Sequence, residues 1–223
     1  DIRRTLNNYI QGTSYSYPDK ITEAFYTDAN LLLENKEKEI WRVPAKEYVN
    51  WFKKNNIGEY TGRIGEILNI GVSGFIATAK VEIILPTEQR RFIDLFLLKK
   101  IKDDWKIISK TATNEHSIQH GKRILFIVSN VHFHGTSSLP VGASFSEIVN
   151  AYHEFKIAGF TVDFISPEGG AIPLSYINTS NDLQKKYLYD ADFMHAIANT
   201  KKPSDVTANN YKAVHYIGGS SCK

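Results

Sequence analysis

Apolar side chains at Ile2, Leu6, Tyr9 and Ile10 recur at the spacing that aligns them on one face of a helix, and Gly12 reads as its stop. A helix of about three turns is expected there. Ser16-Tyr17-Pro18-Asp19 has turn composition, Pro18 suits a first helical position, and Ile21, Ala24 and Phe25 predict a second short helix. A third is predicted from Ala45 to Lys54, with Tyr48, Val49 and Phe52 turned inward. From Glu59 to Ala112 the period changes to alternation, with strands near residues 60–70, 74–85, 90–101 and 105–112, broken at Gly71, Pro86-Thr87-Glu88-Gln89 and Asp103-Asp104. Helices followed by such a meander predict an α+β unit, in which helices cover one face of a curved antiparallel sheet. Between Arg91 and Leu98 both parities are apolar: Phe92, Phe96 and Leu98 on one face, Ile93, Leu95 and Leu97 on the other. A sheet apolar on both faces needs two covers, so a homodimer contact is expected on the face the helices leave open.

Thr113 to Gly121 is polar and aperiodic and reads as a linker. The expected division is an α+β unit over residues 1–115, a linker over 116–121 and a second segment over 122–223. The second segment obeys another pattern. Arg123 to Val128 is a continuous apolar run, as in a parallel strand buried on both faces. A helix from about Ser144 to Ala158 follows, ending at Gly159, and then a strand from Thr161 to Ile165. Strand, helix and strand with short links make a βαβ unit and predict a parallel sheet. Beyond an irregular stretch, Asp192 to Ala198 reads as helix, and Lys212 to Ile217 as a third buried strand ending at Gly218-Gly219.

Composition removes several classes of function. No apolar run approaches the ~20 residues of a membrane helix. A net charge of +3, with Lys and Arg dispersed among acids, gives no nucleic-acid footprint. Cys222 is the single cysteine, so an internal disulfide framework and multi-cysteine metal sites are out. His132 and His134 share a strand-like spacing, but no third ligand accompanies them, and no metal or other cofactor is expected. The chain opens at Asp1 without a basic or apolar leader region; a removed leader is compatible with this, and a cytoplasmic compartment is the expectation.

Lys122 to Ser129, Gly142 with Glu147, Phe155, Gly159 to Phe164, Ser166-Pro167-Glu168-Gly169-Gly170, Asn199-Thr200, Asp205-Val206, Tyr211 and Gly218-Gly219 follow in order along the second segment. Through them it resembles the ThiJ/PfpI group of class I glutamine amidotransferase-like proteins, in particular its heat-shock chaperone and glyoxalase III branch. The resemblance implies a flavodoxin-like fold of which this is the first part, with Glu147 as the glutamate that hydrogen-bonds a nucleophilic thiol. Gly218 and Gly219 match the turn whose N–H groups face an oxyanion; the family often continues it with His-Gly, where Ser220-Ser221 stand here. The family's cysteine and histidine lie further on, and Cys222 does not match them, so this chain is expected to be inactive by itself. The natural polypeptide is expected to continue past Lys223, with a parent that acts on small reactive carbonyls such as methylglyoxal. An ordinary solvated helix position is the alternative for Glu147.

The first segment resembles the nuclear transport factor-like superfamily and its lumazine-binding branch, through Ile2 to Thr13, Asp19-Lys20-Ile21, Ala24-Phe25-Tyr26, Arg91 to Asp94 and Trp105 to Ile108. That implies a cone with an apolar pocket able to bind a small molecule. Enzymes of the superfamily set an Asp/His pair in this pocket, whereas every histidine here lies at or after His116. Asp94, Tyr9 and Tyr26 are the candidate pocket residues. For Asp94 the choice is between an acid/base role and a carboxylate bonded to a neighbouring strand or helix end.

Overall fold

The protein is described by a computed structural model covering residues 1–218. The chain divides into two compact units, Asp1–Ile118 and the residues from Gln119 onward.

In the first unit, α1 (Ile2–Ser14) is capped by the Asp1 carboxylate, which accepts from Arg3 N–H at 2.8 Å. Its buried face carries Ile2, Leu6 and Tyr9, as the periodicity requires. Gly12 does not stop this helix. It lies inside it at the crossing with α2 (Pro18–Ala24), where a Cβ would stand 2.5 Å from Ile21 Cγ1 and 3.1 Å from the Tyr17 carbonyl. The glycine is there for close approach; the chain instead turns at Ser16, in the left-handed region at φ 51°.

After α2 come two strands that the alternation did not announce, β1 (Phe25–Leu33) and β2 (Trp41–Pro44), so Phe25 opens a strand rather than closing a helix. Next are α3 (Ala45–Phe52) and the meander β3 (Ile64–Ser73), β4 (Ile76–Leu85), β5 (Arg90–Ile101) and β6 (Asp104–Ala112). Gly71 sits within β3, and the turn falls at Gly74, at φ 57°. The order β2-β1-β6-β5-β4-β3 is antiparallel except where β1 joins β6 in parallel, Leu31 opposite Lys110. A short β7 (Glu115–His116) pairs with the start of β5.

The helices and the inner face of the sheet enclose Leu6, Tyr9, Ile21, Leu31, Val81, Ile83, Leu98 and Ile107. On β5, Asp94, Phe96 and Leu98 point inward, while Leu95 and Leu97 stay 47% and 43% exposed on the outer face.

The second unit begins with β8 (Arg123–Ile127), then β9 (Ala143–Ser144), α4 (Phe145–Ile157), β10 (Thr161–Ile165) and β11 (Leu174–Ser175). Helix α5 (Asp182–Leu188), unannounced by the sequence, α6 (Ala191–Ala198) and β12 (Tyr211–Tyr216) complete it. Among the described residues β10-β8-β12 form a three-stranded parallel sheet. An aromatic core of Phe126, Phe145, Tyr187 and Phe193 fills the space under α4, α5 and α6. Strand β12 departs from the expected buried strand: Val214 is 50% and Tyr216 74% exposed. Among the described residues it lies at the sheet edge, with β8 on one side. No helix among the described residues is long and apolar enough to cross a membrane.

Candidate functional site

Inside the cone, α1, α3 and three strands bring charged and phenolic groups together beneath the apolar core. Alternation on β5 aims Asp94 inward, and the pairing of Phe96 with Lys110 puts the lysine on the same inner face. The Lys110 ammonium meets Asp94 Oδ1 at 2.8 Å, and the Tyr9 hydroxyl donates to Oδ2 at 2.6 Å. Tyr48, from α3, stands 3.2 Å from the Tyr9 hydroxyl. Lys110 Nζ also lies 5.8 Å from the ring centroids of Tyr9 and Tyr48 and 6.0 Å from that of Phe96, within cation–π range. Asp94 and Tyr9 are 1% and 0% exposed.

Burial, then the Asp94 carboxylate, pushes the Tyr9 phenol well above its ordinary pKa. It therefore stays protonated as a donor. Arg63 approaches from the entry to β3. Burial opposes its charge, but Tyr48, Tyr9 and Asp94 outweigh burial and hold its pKa above the ordinary value. Its Nε is buried without a hydrogen-bonding partner. Two cations thus face one carboxylate, and the cluster carries an excess of one positive charge.

The structure brings Asp94 and Tyr9 together and separates Tyr26 from both. Tyr26 follows Phe25 at the start of β1 and lines an open cleft beside α3. Successive strand side chains point to opposite faces, so with Phe25 buried in the core its neighbour faces out.

In the second unit, the Ser144 hydroxyl caps α4 and accepts from Glu147 N–H at 3.4 Å, fixing Glu147 in the first turn. Gly218 follows β12, whose end is held by the Ile217 N–H donating to the Ile127 carbonyl at 3.0 Å. Glu147 Oε2 lies 3.7 Å from where a Cβ on Gly218 would stand. Glutamate and glycine therefore meet at the carboxyl ends of the parallel strands, the usual location of sites in such sheets. Gly219, Ser220, Ser221 and Cys222 lie outside the described residues. His132 and His134 sit in the loop after β8, where the His132 carbonyl accepts from Val141 and the His134 N–H donates to Leu139. No group of three or more His, Cys, Asp or Glu among the described residues could hold a metal ion.

Sequence reasoning missed a second charged knot. Asp163, inside β10, takes two hydrogen bonds from Arg123 at 2.9 and 2.8 Å, one from Tyr211 at 2.7 Å and one from Lys201 at 3.1 Å. Burial raises its pKa, but Arg123 first and then Lys201 and Tyr211 reverse this and lower it to about 2. The available signal was an aspartate in the middle of an apolar strand, a group that stays buried only with partners.

A Schizosaccharomyces pombe protein, "Glutathione-independent glyoxalase hsp3102", is 32% identical over 114 residues, which cover 46% of this chain. The chain spans less than half the length of that curated relative, 45%. Among solved structures, an NTF2-like protein of unknown function from Shewanella baltica is 20% identical with a TM-score of 0.46, covering 52% of this chain and 92% of that one. One from Methylobacillus flagellatus is 27% identical with a TM-score of 0.45, covering 51% and 89%. The first unit is itself an α+β cone, with helices covering one face of a curved, mainly antiparallel sheet. Residues 1–112 match the family described as "Putative lumazine-binding", and over that half of its length the chain belongs to this family.

Proposed function

We propose that the second unit is the first part of a flavodoxin-like ThiJ/PfpI domain acting on small reactive carbonyls, with the cone as its accessory module. The approach of Glu147 to Gly218 carries this reading, because it sets a carboxyl group beside the turn that would face an oxyanion. The identity with the fission-yeast glyoxalase supports it. In such a site a thiolate adds to the aldehyde carbon, the glutamate manages the thiol proton, and backbone N–H groups receive the negative oxygen. The described residues contain no cysteine, so the nucleophile is assigned elsewhere.

The test is a glutathione-free methylglyoxal assay of the 223-residue chain and of the product of its complete gene. No turnover is expected from the chain. The complete product should turn over and lose about 10²- to 10⁴-fold in Glu147→Gln. No turnover by the complete product, or indifference to Glu147→Gln, would overturn the assignment; so would activity of the chain that Cys222→Ser abolishes.

The positive excess around Arg63 favours a second reading, in which the cone itself takes a small anion. Thermal-shift screening of the whole chain with flavin-like and aromatic anions should raise Tm, by an amount equivalent to about 2.7 kcal/mol at a hundredfold excess over Kd. The rise should shrink in Arg63→Gln. A screen in which no anion shifts Tm would reject this reading.

A further inference from the structure

The open cleft where Tyr26 resides is distinct from the buried Asp94 cluster and has its own chemistry. Its volume is about 430 Å³, inside the ~300–1,000 Å³ range of small-molecule sites. The floor is apolar, made by the buried side chains of Phe25 and Val49. Lys46, Asn50 and Lys53 follow one another at four and three residues, which stacks them along one face of α3 and its C-terminal cap. Tyr26 lines the cleft from β1.

No carboxylate lines the cleft, and among the described residues neither lysine is drawn into an ion pair. Val49 and Asn50, the positions three and four residues from each lysine, carry no acid that could pair with either along the helix. Asn50 is a neutral group that donates to and accepts from a ligand without neutralising it. Two cations without a counter-charge, a neutral hydrogen-bonding group and an apolar floor describe the complement of one kind of molecule. We infer that this cleft binds a small organic anion, with its carboxylate or sulfonate between Lys46 and Lys53 and its apolar body against Phe25 and Val49. This site is outside the cone interior and does not depend on the charge excess at Arg63.

The experiment is an NMR titration of the whole chain with 2-naphthoate, using neutral 2-naphthamide as the control. Saturable shifts are expected at the amides of Thr27, Asn50 and Lys53. Affinity should fall about tenfold or more for the amide and likewise in the double variant Lys46→Ala/Lys53→Ala. Both lysines are exposed, and an unchanged spectrum away from the cleft shows that the variant keeps its fold. Absent or non-saturable shifts at the cleft, shifts confined to Tyr9, Arg63 and Lys110, equal affinity for the amide, or an unaffected double variant would each overturn the inference. Shifts confined to the interior would leave the second reading of the cone standing while removing this site.

Discussion

Asp94→Ala lowers the stability of the cone by about 3–5 kcal/mol, the largest loss expected of any single substitution in this chain. The carboxylate is the counter-charge of a lysine that is 4% exposed, and it also accepts from a tyrosine hydroxyl with no access to water. Removing it leaves the buried ammonium without its counter-charge and the Tyr9 hydroxyl, though it keeps that of Tyr48 to bond, without its carboxylate acceptor. Most domains have only ~5–15 kcal/mol in total, so the loss is readily seen in urea unfolding followed by tryptophan fluorescence. Exchanging both partners, in Asp94→Ala/Lys110→Met, should recover much of the loss, because an apolar pair has no charge to desolvate. A cost below about 1 kcal/mol for Asp94→Ala would mean that the pair contributes little.

In the second unit the largest expected effect is a dependence on acid. Asp163 titrates at about 2 in the folded chain, against an ordinary 3.8. A folded value below the unfolded one means that the unfolded chain takes up the proton more readily. The stabilisation is therefore complete above the unfolded value and drains away as pH falls from about 4 to about 2. The difference between 3.8 and about 2 corresponds to roughly 2 kcal/mol. Urea midpoints measured across that interval should fall, and the part due to this knot should vanish in Asp163→Asn, which would be less stable than the parent at neutral pH. An acid limb identical in the two proteins would refute the assignment.

Elements governed by local periodicity were legible in the sequence. Helices α1 and α3 have their apolar faces where the spacing put them, and β4, β5 and β6 fall within a residue or two of the alternation. Strands β1 and β2 were not legible, because β2 is only four residues long, β1 has its other partner far away in β6, and Thr27-Asp28-Ala29-Asn30 gives no clean alternation. Gly12 illustrates a related limit, since a glycine demanded by a neighbouring helix looks in one dimension like a glycine that ends its own.

At the candidate sites, Asp94 was recognisable as a carboxylate between two phenylalanines, and it bonds to a helix tyrosine and a strand lysine. That Lys110 would be its partner was hidden, because a lysine in an amphipathic strand normally faces water. Arg63 was hidden for the same reason. Glu147 and Gly218 are seventy-odd residues apart and could be associated only through the ThiJ/PfpI resemblance; periodicity says nothing of such a meeting.

The parallel join of β1 to β6 also bears on how the cone is made. A ribosome releases β1 long before β6 exists, so Leu31 must wait for Lys110 while the whole of α3 and the meander are synthesised. The hairpins β3–β4 and β4–β5 can close locally in that interval, and β1 is therefore one of the first strands to be translated and one of the last to gain its full place in the sheet. Until then the Leu31-Leu32-Leu33 run has only the four-residue β2 beside it, which makes the nascent cone, rather than the finished one, the form most in need of protection from aggregation.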